Sequence, residues 1–268
     1  MVIDITPHNT GANNMTTSPK IALITGGSRG LGRNTVLHLA KNGIDTVLTY
    51  RTSKEEAEQV VAEVEALGAR AVALQLDTAD TSGFPAFTDA LKTVLQQTWQ
   101  RDSFDFLVNN AGTGIHKPFA ETTETDFDQL MNVHVKGVFF LTQQLLPLIA
   151  DGGRILNVSS GLARFSLPGY SAYATMKGAI EVLTRYLAKE LGSRHIAVNT
   201  LAPGAIETDF GGGAVRDNPE LNKVVASMTA MGRAGLPDDI GGAITALLSG
   251  NTGWMTGQRI EVSGGQNL

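Results

Sequence analysis

Tyr173 and Lys177 lie four residues apart in the stretch 173–191, whose apolar pattern predicts a helix. Residues at this spacing share one face of a helix, so a phenol and an ammonium group would lie side by side. A phenol has a reference pKa of about 10, and a neighbouring cation lowers that pKa because it favours the phenolate. The pair could therefore transfer a proton near neutral pH, although the same spacing also occurs on exposed helix surfaces. Residues elsewhere in the chain decide between these two interpretations.

The elements that would position this pair alternate along the chain. Short apolar runs predict strands, and longer stretches between them predict helices. Such alternation is typical of a parallel sheet covered on both faces, so we predict a single α/β Rossmann-fold domain with a doubly wound sheet. The predicted strands span residues 20–25, 46–50, 71–76, 104–109, 154–158, 195–201 and 259–262, and the predicted helices span residues 31–39, 54–67, 84–99, 124–149, 173–191 and 238–248.

Composition excludes several other classes of protein. The chain has 268 residues, of which 42% are hydrophobic and 18% charged, as in globular domains. It has no cysteine, its five histidines lack metal-ligand spacing, and its net charge of −5 argues against nucleic acid, so we expect neither metal nor nucleic acid as a partner. Residues 1–18 are polar, without a signal-peptide pattern or a membrane span. We therefore expect a disordered N-terminal arm, a domain over residues 19–268, no membrane contact and a cytoplasmic location.

A glycine-rich loop follows the first predicted strand. Gly26, Gly30 and Gly32 stand in the spacing G-x-x-x-G-x-G between this strand and the next helix. Glycines there permit a tight turn and close approach of the backbone, while the free N–H groups at the helix start attract phosphate. The loop therefore predicts dinucleotide binding, with Ser28 and Leu31 as further contacts.

The end of the second predicted strand indicates which dinucleotide binds. An acidic residue there would accept a hydrogen bond from the ribose 2′-hydroxyl of NAD, but this chain has Tyr50 and Arg51. Arg29 in the glycine loop adds a second guanidinium, and two guanidiniums suit a charge-assisted grip on a 2′-phosphate. We therefore predict NADP(H) rather than NAD(H); the alternative is that both arginines are solvated surface charges.

In the order of its motifs the chain resembles the short-chain dehydrogenases/reductases in their single-domain Rossmann form. The resemblance covers nearly all of residues 20–265. It implies a seven-stranded parallel sheet and reversible hydride transfer between nicotinamide C4 and a carbonyl carbon, with a secondary alcohol as the reduced product. The motifs that carry it are Thr25-Gly-x-x-x-Gly-x-Gly32, Asp77, Asn109-Asn-Ala-Gly112, Ser160, Tyr173-x-x-x-Lys177 and Pro203-Gly204.

The resemblance also implies roles for the catalytic residues. Tyr173 would be the general acid in reduction and the base in oxidation, while Ser160, thirteen residues earlier, would hydrogen-bond the substrate oxygen. Ser159 competes for this role, because adjacent residues at a strand end point in different directions. Lys177 would hold the nicotinamide ribose hydroxyls and would lower the pKa of Tyr173 through its charge.

One position departs from the family pattern. Many members have an asparagine where this chain has His134, in the helix after the fourth strand. The family's asparagine bends that helix and relays protons through water to the catalytic lysine. An imidazole can also relay protons because it titrates near neutrality, so His134 is a candidate catalytic residue. The alternative is a hydrogen-bonded interior histidine with no part in catalysis.

The resemblance assigns further cofactor contacts to the ends of other strands. Asp77, with Thr78 beside it, would bind the adenine edge. Asn109, Ala111 and Gly112 would support the end of the fourth strand and contact the cofactor. The segment after the sixth strand would line the nicotinamide amide and the pyrophosphate through Pro203, Gly204, Ile206 and Thr208.

Three loops should frame the substrate, namely residues 113–119, 161–170 and 205–231, the last as a lid with a glycine hinge at residues 211–213. The loops are mostly apolar, which suits a neutral carbonyl compound. We therefore predict an NADPH-dependent carbonyl reductase that acts on a small or medium ketone, aldehyde or sugar-like substrate. The loop side chains behind this prediction are Ile115, His116, Phe165, Leu167 and Phe210.

Two other functions stay open at this point. A 3-oxoacyl-[acyl-carrier-protein] reductase would need a basic docking patch, for which Arg164, Arg216 and Arg233 are the candidates. A non-catalytic NADP-binding regulatory protein would not need the intact Ser160 and Tyr173. The family also implies association through the catalytic helix and the helix after the fourth strand, so we expect a homotetramer, with a dimer as the second choice.

Overall fold

The computed structural model describes residues 19–268, and the arm predicted for residues 1–18 lies outside them. Seven strands form one sheet, in which neighbouring strands are parallel and follow the order β3-β2-β1-β4-β5-β6-β7. The predicted α/β class and doubly wound parallel sheet are therefore confirmed. The strands are β1 (Ile21–Ile24), β2 (Asp45–Tyr50), β3 (Ala71–Gln75), β4 (Phe104–Asn109), β5 (Ile149–Val158), β6 (Ala197–Pro203) and β7 (Arg259–Val262).

Helices cover both faces of this sheet. They are α1 (Gly30–Lys41), α2 (Lys54–Ala66), α3 (Phe84–Trp99), α4 (Glu124–Met131), α5 (Gly137–Leu145), α6 (Ser171–Glu190), α7 (Ala214–Asp217), α8 (Pro219–Ser227) and α9 (Pro237–Ser249). α1, α2 and α9 bury their apolar stripes on one face, and α3, α5 and α6 bury theirs on the other. The central strands lie between the two layers, so β1 is buried along its whole length, as its uninterrupted apolar run predicts.

The order of the strands reverses beside β1. From β1 the chain builds β2 and β3 on one side, then crosses to β4 on the other side and continues to β7. In open parallel sheets, ligands bind outside the carboxyl ends of the strands at such a switch point. The loops that follow β1 and β4 therefore meet at the crevice where a ligand is expected.

The continuous helix predicted over residues 124–149 is wrong. α4 and α5 are separated by a π-helical turn at Asn132–Lys136, and a 3-10 turn at Leu146–Leu148 follows α5. Pro147 lies in the second turn and has no N–H to continue the helix. At the start of α5, a Cβ on Gly137 would overlap the carbonyl oxygen of Thr78, so α5 runs directly against the backbone after β3.

Two strands begin more than one residue away from the prediction. β5 begins at Ile149 rather than at residue 154, but its pairing with β4 is irregular there, because Phe104 pairs with Ile149 and Phe106 with Arg154, and Gly152 has a φ of 75°. β6 begins at Ala197, because His195 adopts a left-handed φ of 57° at the end of the preceding turn.

The segment of residues 205–231 contains α7 and α8. Before α7, three consecutive glycines at residues 211–213 have φ values of 62°, 75° and 78°, which side chains with a Cβ rarely adopt. Arg216 pairs with Asp209 and with Asp217, so ion pairs connect the two sides of this glycine turn. Across residues 19–268, no helix combines the length and the apolar character needed to cross a bilayer.

Candidate active site

The glycine loop after β1 is held by the loop after β4. Gly26 has a left-handed φ of 66°, and its N–H donates to Thr49 Oγ1 at 3.1 Å. Asn110 Nδ2 donates to the carbonyl oxygens of Thr25 (2.9 Å) and Gly26 (3.2 Å). A Cβ on Gly32 would overlap the Gly26 carbonyl, so only glycine allows this close approach. The motif predicted from spacing alone therefore forms a tight cradle at the switch point.

The N-terminus of α1 opens onto this cradle. Arg29 is the N-cap residue and makes no side-chain capping hydrogen bond. Gly30 has a φ of 55°, and the nearest heavy atom to a Cβ placed on it is Thr208 Cβ at 3.9 Å. Ser28 is buried and Leu31 half-buried beside it. Free N–H groups at a helix start, with an open glycine backbone in front of them, fit the pyrophosphate of a dinucleotide.

Two guanidiniums lie beside the cradle. Arg29 and Arg51 are exposed, and within residues 19–268 neither guanidinium makes a hydrogen bond or an ion pair. Tyr50, at the end of β2, is half-buried, and residues 50–53 include no carboxylate. The loop and the end of β2 are joined because the Gly27 N–H donates to the Thr49 carbonyl at 2.8 Å. This end of the cradle is therefore positively charged and lacks the acid that would repel a 2′-phosphate.

The residues after β3 and β4 divide between exposed and buried positions. Asp77 is exposed and accepts a hydrogen bond from the N–H of Ala79 at 2.9 Å, with Thr78 half-buried beside it. Asn109 is buried, and its Nδ2 donates to Asn157 Oδ1 at 2.8 Å and to Thr142 Oγ1 at 3.1 Å. The Asn109 side chain therefore joins β4 to β5 and α5. Any contact of Asn109 with a cofactor would be made by its backbone.

Two residues of this region had no role in the sequence prediction. Thr25 Oγ1 accepts hydrogen bonds from the N–H groups of Asn110 and Ala111, each at 3.0 Å. Asn110 holds the glycine loop as described above. Both residues stand inside the quoted motifs, but spacing does not show that a threonine after β1 and an asparagine after β4 bind each other.

The contacts of their side chains distinguish Ser160 from Ser159 as the candidate partner of Tyr173. The side chain of Ser160 lies close enough to the phenol of Tyr173 to lower the pKa of that phenol, and its Oγ accepts a hydrogen bond from the N–H of Leu162 at 3.2 Å. Ser159 Oγ instead donates to Glu181 Oε1 at 2.8 Å, away from the phenol. The geometry therefore favours Ser160 as the partner of Tyr173.

Tyr173 and Lys177 are both buried, with 6% and 5% of their surface exposed. Lys177 Nζ donates to the carbonyl oxygen of Val158 at 2.7 Å and lies 5.5 Å from the centroid of the Tyr173 ring. Burial lowers the pKa of Lys177 to about 7. Burial also raises the pKa of Tyr173, and this outweighs the lowering by Ser160. The expected lowering of the tyrosine pKa by Lys177 is not found, because the ammonium is held by a backbone carbonyl rather than against the phenol oxygen.

His134 lies in the π-helical turn between α4 and α5 and is 1% exposed. Its Nε2 lies 2.7 Å from the carbonyl oxygen of Thr113, and a Cβ on Gly112 would come within 2.9 Å of its Cε1. Burial, together with the charge of Lys177, lowers the pKa of His134 to about 3. The expectation that this imidazole titrates near neutrality is therefore wrong. A neutral ring that binds the Thr113 carbonyl must carry its proton on Nε2, because a carbonyl oxygen can only accept.

The segment after β6 lies beside the glycine loop. Pro203 ends β6, and the Gly204 N–H donates to the carbonyl of Val262 at 3.1 Å. Ile206 forms an isolated parallel bridge with Gly235. Thr208 is buried in front of Gly30, as described above. The four residues predicted here from the resemblance therefore reach the same edge of the sheet as the glycine cradle.

An apolar cavity of about 440 Å³ lies between the loops after β4 and β5; Ala174, beside Tyr173 in the sequence, lines it, whereas Ser160, Tyr173 and Lys177 do not. The rings of His116 and Tyr170 form part of its wall, with centroids 4.8 Å apart. Phe210, from the glycine turn of the lid, lies over Tyr173 instead, with ring centroids 5.8 Å apart. The side chains that line the cavity include His116, Phe119, Leu162, Leu167, Tyr170 and Ala174.

The other two predicted loop residues lie elsewhere. Ile115 packs against the small cluster formed by Tyr173, Leu130 and Met176. Phe165 lies under the guanidinium of Arg164, 5.4 Å from the ring centroid. Within residues 19–268, no group of three or more His, Asp or Glu side chains is placed to hold a metal ion.

A doubly wound sheet with a glycine cradle at its switch point and a Ser-Tyr-Lys group beside it defines an oxidoreductase of the Rossmann class. The family model described as enoyl-(acyl carrier protein) reductase matches residues 26–267. The chain belongs to the short-chain dehydrogenase/reductase family.

Individual relatives cover almost the whole chain. The hydroxynaphthalene reductase-like protein Arp2 of Metarhizium brunneum is 35% identical in an alignment of 257 residues that covers 92% of this chain and 94% of the relative. The promiscuous reductase LugOII, which catalyses keto-reduction at C1 during lugdunomycin biosynthesis, has a TM-score of 0.88 at 35% identity and covers 93% of this chain and 98% of its own. The angucycline C-6 ketoreductase LanV, solved with bound NADP, has a TM-score of 0.88 at 34% identity and covers 92% and 95%.

Proposed function

We propose that this protein is an NADPH-dependent carbonyl reductase whose substrate is a ketone on a hydroxylated fused aromatic ring. The observation that carries the reaction type is the buried pair of Tyr173 and Lys177, with the Ser160 side chain close to the phenol. This arrangement presents a hydrogen-bond donor and an acid to one oxygen atom. A carbonyl oxygen that becomes an alcohol oxygen needs both.

The cofactor assignment rests on charge. Arg29 and Arg51 supply two guanidiniums at the position where a 2′-phosphate would lie, and LanV carries NADP in a closely similar fold. The cradle of Gly26, Gly30 and Gly32 would hold the pyrophosphate. When bound there, NADPH supplies the hydride that adds to the carbonyl carbon.

The chain itself supplies the proton. Ser160 would donate a hydrogen bond to the substrate carbonyl oxygen, and the phenolic proton of Tyr173 would pass to that oxygen as the alcohol forms. Because burial raises the pKa of Tyr173, the phenol retains its proton at neutral pH and can act as the acid. Oxidation requires the same phenol to lose its proton first. We therefore expect reduction to be the favoured direction at neutral pH.

Lys177 would bind and orient rather than react. One of its three N–H groups is taken by the Val158 carbonyl, and the remaining two can bind the ribose hydroxyls of the cofactor. His134, which is neutral, would hold the loop at Thr113 in place beside the cradle. We therefore assign His134 to positioning instead of proton relay.

The cavity supports the choice of a fused aromatic ketone. Its walls are mostly apolar and aromatic, and its volume of about 440 Å³ is within the range of small-molecule pockets. The relatives are named for hydroxynaphthalene and angucycline reduction. Aromatic walls such as those of His116 and Tyr170 favour flat rings through stacking and edge contacts.

The acyl-carrier-protein alternative has less support. Each of its three candidate docking arginines is paired with a carboxylate: Arg164 with Glu261, Arg216 with Asp209 and Asp217, and Arg233 with Asp239. Paired guanidiniums contribute little positive potential for an acidic carrier protein.

The expected association into a homotetramer finds support on the outer faces of α5 and α6. Phe139 and Phe140 are each 44% exposed, and Val182 and Tyr186 on α6 are 45% and 62% exposed. Exposed apolar groups of this kind are typical of surfaces that form interfaces between subunits. Light scattering coupled to size-exclusion chromatography tests this, and a monomer at micromolar concentration would contradict it.

The proposed function is tested by following NADPH oxidation with a panel of carbonyl compounds. The panel contains an aromatic fused-ring ketone (tetralone), its saturated counterpart (decalone), cyclohexanone and an acetoacetyl thioester. We expect kcat/KM for tetralone to exceed that for decalone by about tenfold, the ratio that 1.4 kcal/mol of aromatic contact provides.

Two outcomes would contradict parts of the proposal. Equal rates with tetralone and decalone would refute the aromatic substrate class while leaving the reductase activity in place. Tight NADPH binding with no turnover of any carbonyl compound would instead favour the non-catalytic regulatory function. Tyr173→Phe provides the blank for every member of the panel.

A further inference from the structure

Two charged residues outside the catalytic group contact the chain at the end of β5. Arg259 Nη2, on β7, donates to the carbonyl oxygen of Ser160 at 3.3 Å. Glu181 Oε1, on α6, accepts a hydrogen bond from Ser159 Oγ at 2.8 Å. Arg259 Nε donates to the same oxygen of Glu181, also at 2.8 Å. One ion pair therefore binds both serines.

This ion pair is partly buried, and a second carboxylate helps to hold its arginine in place. The side chains of Arg259 and Glu181 are 24% and 15% exposed. Arg259 Nη1 also donates to Glu261 at 2.7 Å, and Glu261 accepts two further hydrogen bonds from Arg164, each at 2.7 Å. These partners lower the pKa of Glu261 to about 2, so it stays charged. A network with two cations and two anions fixes the Arg259 guanidinium better than a single surface pair could.

The position of Glu181 follows from the catalytic helix itself. Glu181 lies four residues after Lys177 and eight after Tyr173, so all three share one face of α6. The helix face that carries the acid therefore also carries the carboxylate that holds the neighbouring strand. Arg259 approaches from the opposite side, since β7 pairs with β6, and β6 with β5.

The contacts bear on which serine faces the phenol. Adjacent side chains at a strand end point in different directions, and a slip of the strand end by one residue would exchange them. Glu181 binds the Ser159 hydroxyl and Arg259 binds the Ser160 carbonyl, so the peptide is restrained on both sides. In this arrangement the Ser160 side chain lies close to the Tyr173 phenol.

We propose that Glu181 and Arg259 are positioning residues that hold the Ser159-Ser160 peptide in the orientation that places Ser160 at the Tyr173 phenol. Neither residue touches a reacting atom. The proposal rests on the proposed function in so far as Ser160 binds the substrate oxygen. A displacement of about 1 Å at a catalytic group can cost on the order of 100-fold in rate.

The first measurement is the steady-state kinetics of Glu181→Ala. We expect kcat to fall by about 10- to 100-fold, with the Kd for NADPH and the KM for the ketone changed less than about twofold. Glu181→Gln keeps a carbonyl oxygen that can accept from Ser159 and Arg259, so it should recover most of the lost kcat. Arg259→Lys keeps the charge but loses the planar guanidinium that reaches Glu181, Glu261 and the Ser160 carbonyl from separate nitrogens, so it should behave like Glu181→Ala.

A double-mutant cycle separates positioning from general damage. In a Ser160→Ala background, Glu181→Ala should cause little additional loss, because the group that it positions is already absent. The matched control is Asp151→Ala, which removes an exposed ion pair with Arg194 at the start of β5 (2.7 Å) and should leave kcat unchanged. Equal losses from Glu181→Ala in the wild-type and Ser160→Ala backgrounds would overturn the proposal, as would unchanged kcat in Glu181→Ala.

A crystal structure of Glu181→Ala gives a readout that does not depend on turnover. We expect the Ser160 hydroxyl to leave the Tyr173 phenol while the glycine loop stays in place. An unmoved Ser160 would overturn the positioning proposal even if the proposed function holds. Failure of the wild-type enzyme to reduce any carbonyl compound would overturn the proposed function and leave this structural comparison valid.

Discussion

The imidazole of His134 stands edge-on to the phenol of Tyr173, with ring centroids 5.3 Å apart and an interplanar angle of 90°. The same imidazole binds the Thr113 carbonyl and packs against Gly112, so one ring contacts both the proposed general acid and the loop after β4. Its position between α4 and α5 depends on the π-helical turn. The histidine that replaces the family's asparagine thus stands between these two parts of the candidate site.

His134→Asn should leave the pH dependence of kcat unchanged between about pH 5 and pH 9. The reason is that burial and Lys177 lower the pKa of His134 to about 3, so the imidazole does not titrate in this range. Measurement of kcat and kcat/KM across the range checks this expectation. Loss of an ionisation from the profile would show that His134 titrates and would restore the relay interpretation. His134→Ala is the companion variant, and it should reduce stability because it leaves a cavity.

Tyr173→Phe should abolish carbonyl reduction while NADPH still binds. The substitution removes the one hydroxyl assigned to supply a proton to the product oxygen and keeps the ring that packs against His134 and Phe210. General acid catalysis contributes on the order of 100- to 10,000-fold, which sets the smallest loss expected. Turnover is measured by NADPH oxidation and binding by nicotinamide fluorescence. Retained turnover would refute the assignment of the acid, and lost binding would mean that the variant damages the cradle.

Arg51→Asp should shift the cofactor preference from NADPH toward NADH. A charge-assisted hydrogen bond contributes about 1.5 to 3 kcal/mol, so the ratio of kcat/KM for NADPH over NADH should fall by about 10- to 100-fold. Lys189→Asp makes the same change of charge at an exposed position near the end of α6 and serves as the control. If both variants lower the ratio equally, the effect is a general loss of positive charge. An unchanged ratio in Arg51→Asp would remove Arg51 from the proposed phosphate site.

The stability of the protein should rise between pH 7 and pH 9 relative to that of Lys177→Met. Burial lowers the pKa of Lys177 to about 7 in the folded state, whereas an unfolded lysine titrates at about 10.4. Between these values the unfolded chain binds a proton that the folded chain has released, so folding becomes more favourable as pH rises. Urea unfolding of the two proteins at both pH values should show a difference of about 2 kcal/mol. Lys189→Met, at an exposed lysine of the same helix, should show no difference of this kind.

The sequence was sufficient for the features that short spacing encodes. Patterns within short stretches of sequence encode the doubly wound class, the glycine loop at Gly26 and the one-turn spacing of Tyr173 and Lys177. Such patterns can be recognised before the fold is known. The choice between Ser159 and Ser160 rested on the resemblance, because it depends on which residues approach the strand end from elsewhere. Glu181 and Arg259 lie 78 residues apart along the chain and showed no motif.

Two errors have different physical origins. Apolar periodicity continues through residues 124–149 and does not register the extra residue of a π-helical turn, so it predicted one continuous helix even though the resemblance implied a bend at the position of His134. The pKa values of His134, Tyr173 and Lys177 depend on burial, which the sequence reports only in outline. The charge of Lys177 alone therefore predicted the wrong direction for the pKa shift of Tyr173.

The location of Arg259 on the seventh strand has a consequence for the growing chain. The residues assigned to the cradle and to proton transfer all precede residue 209, so a chain that has emerged only as far as residue 250 already carries them. It still lacks the strand that restrains the Ser160 carbonyl. The arginine proposed to position Ser160 is therefore synthesised after every residue assigned to the cradle and to proton transfer.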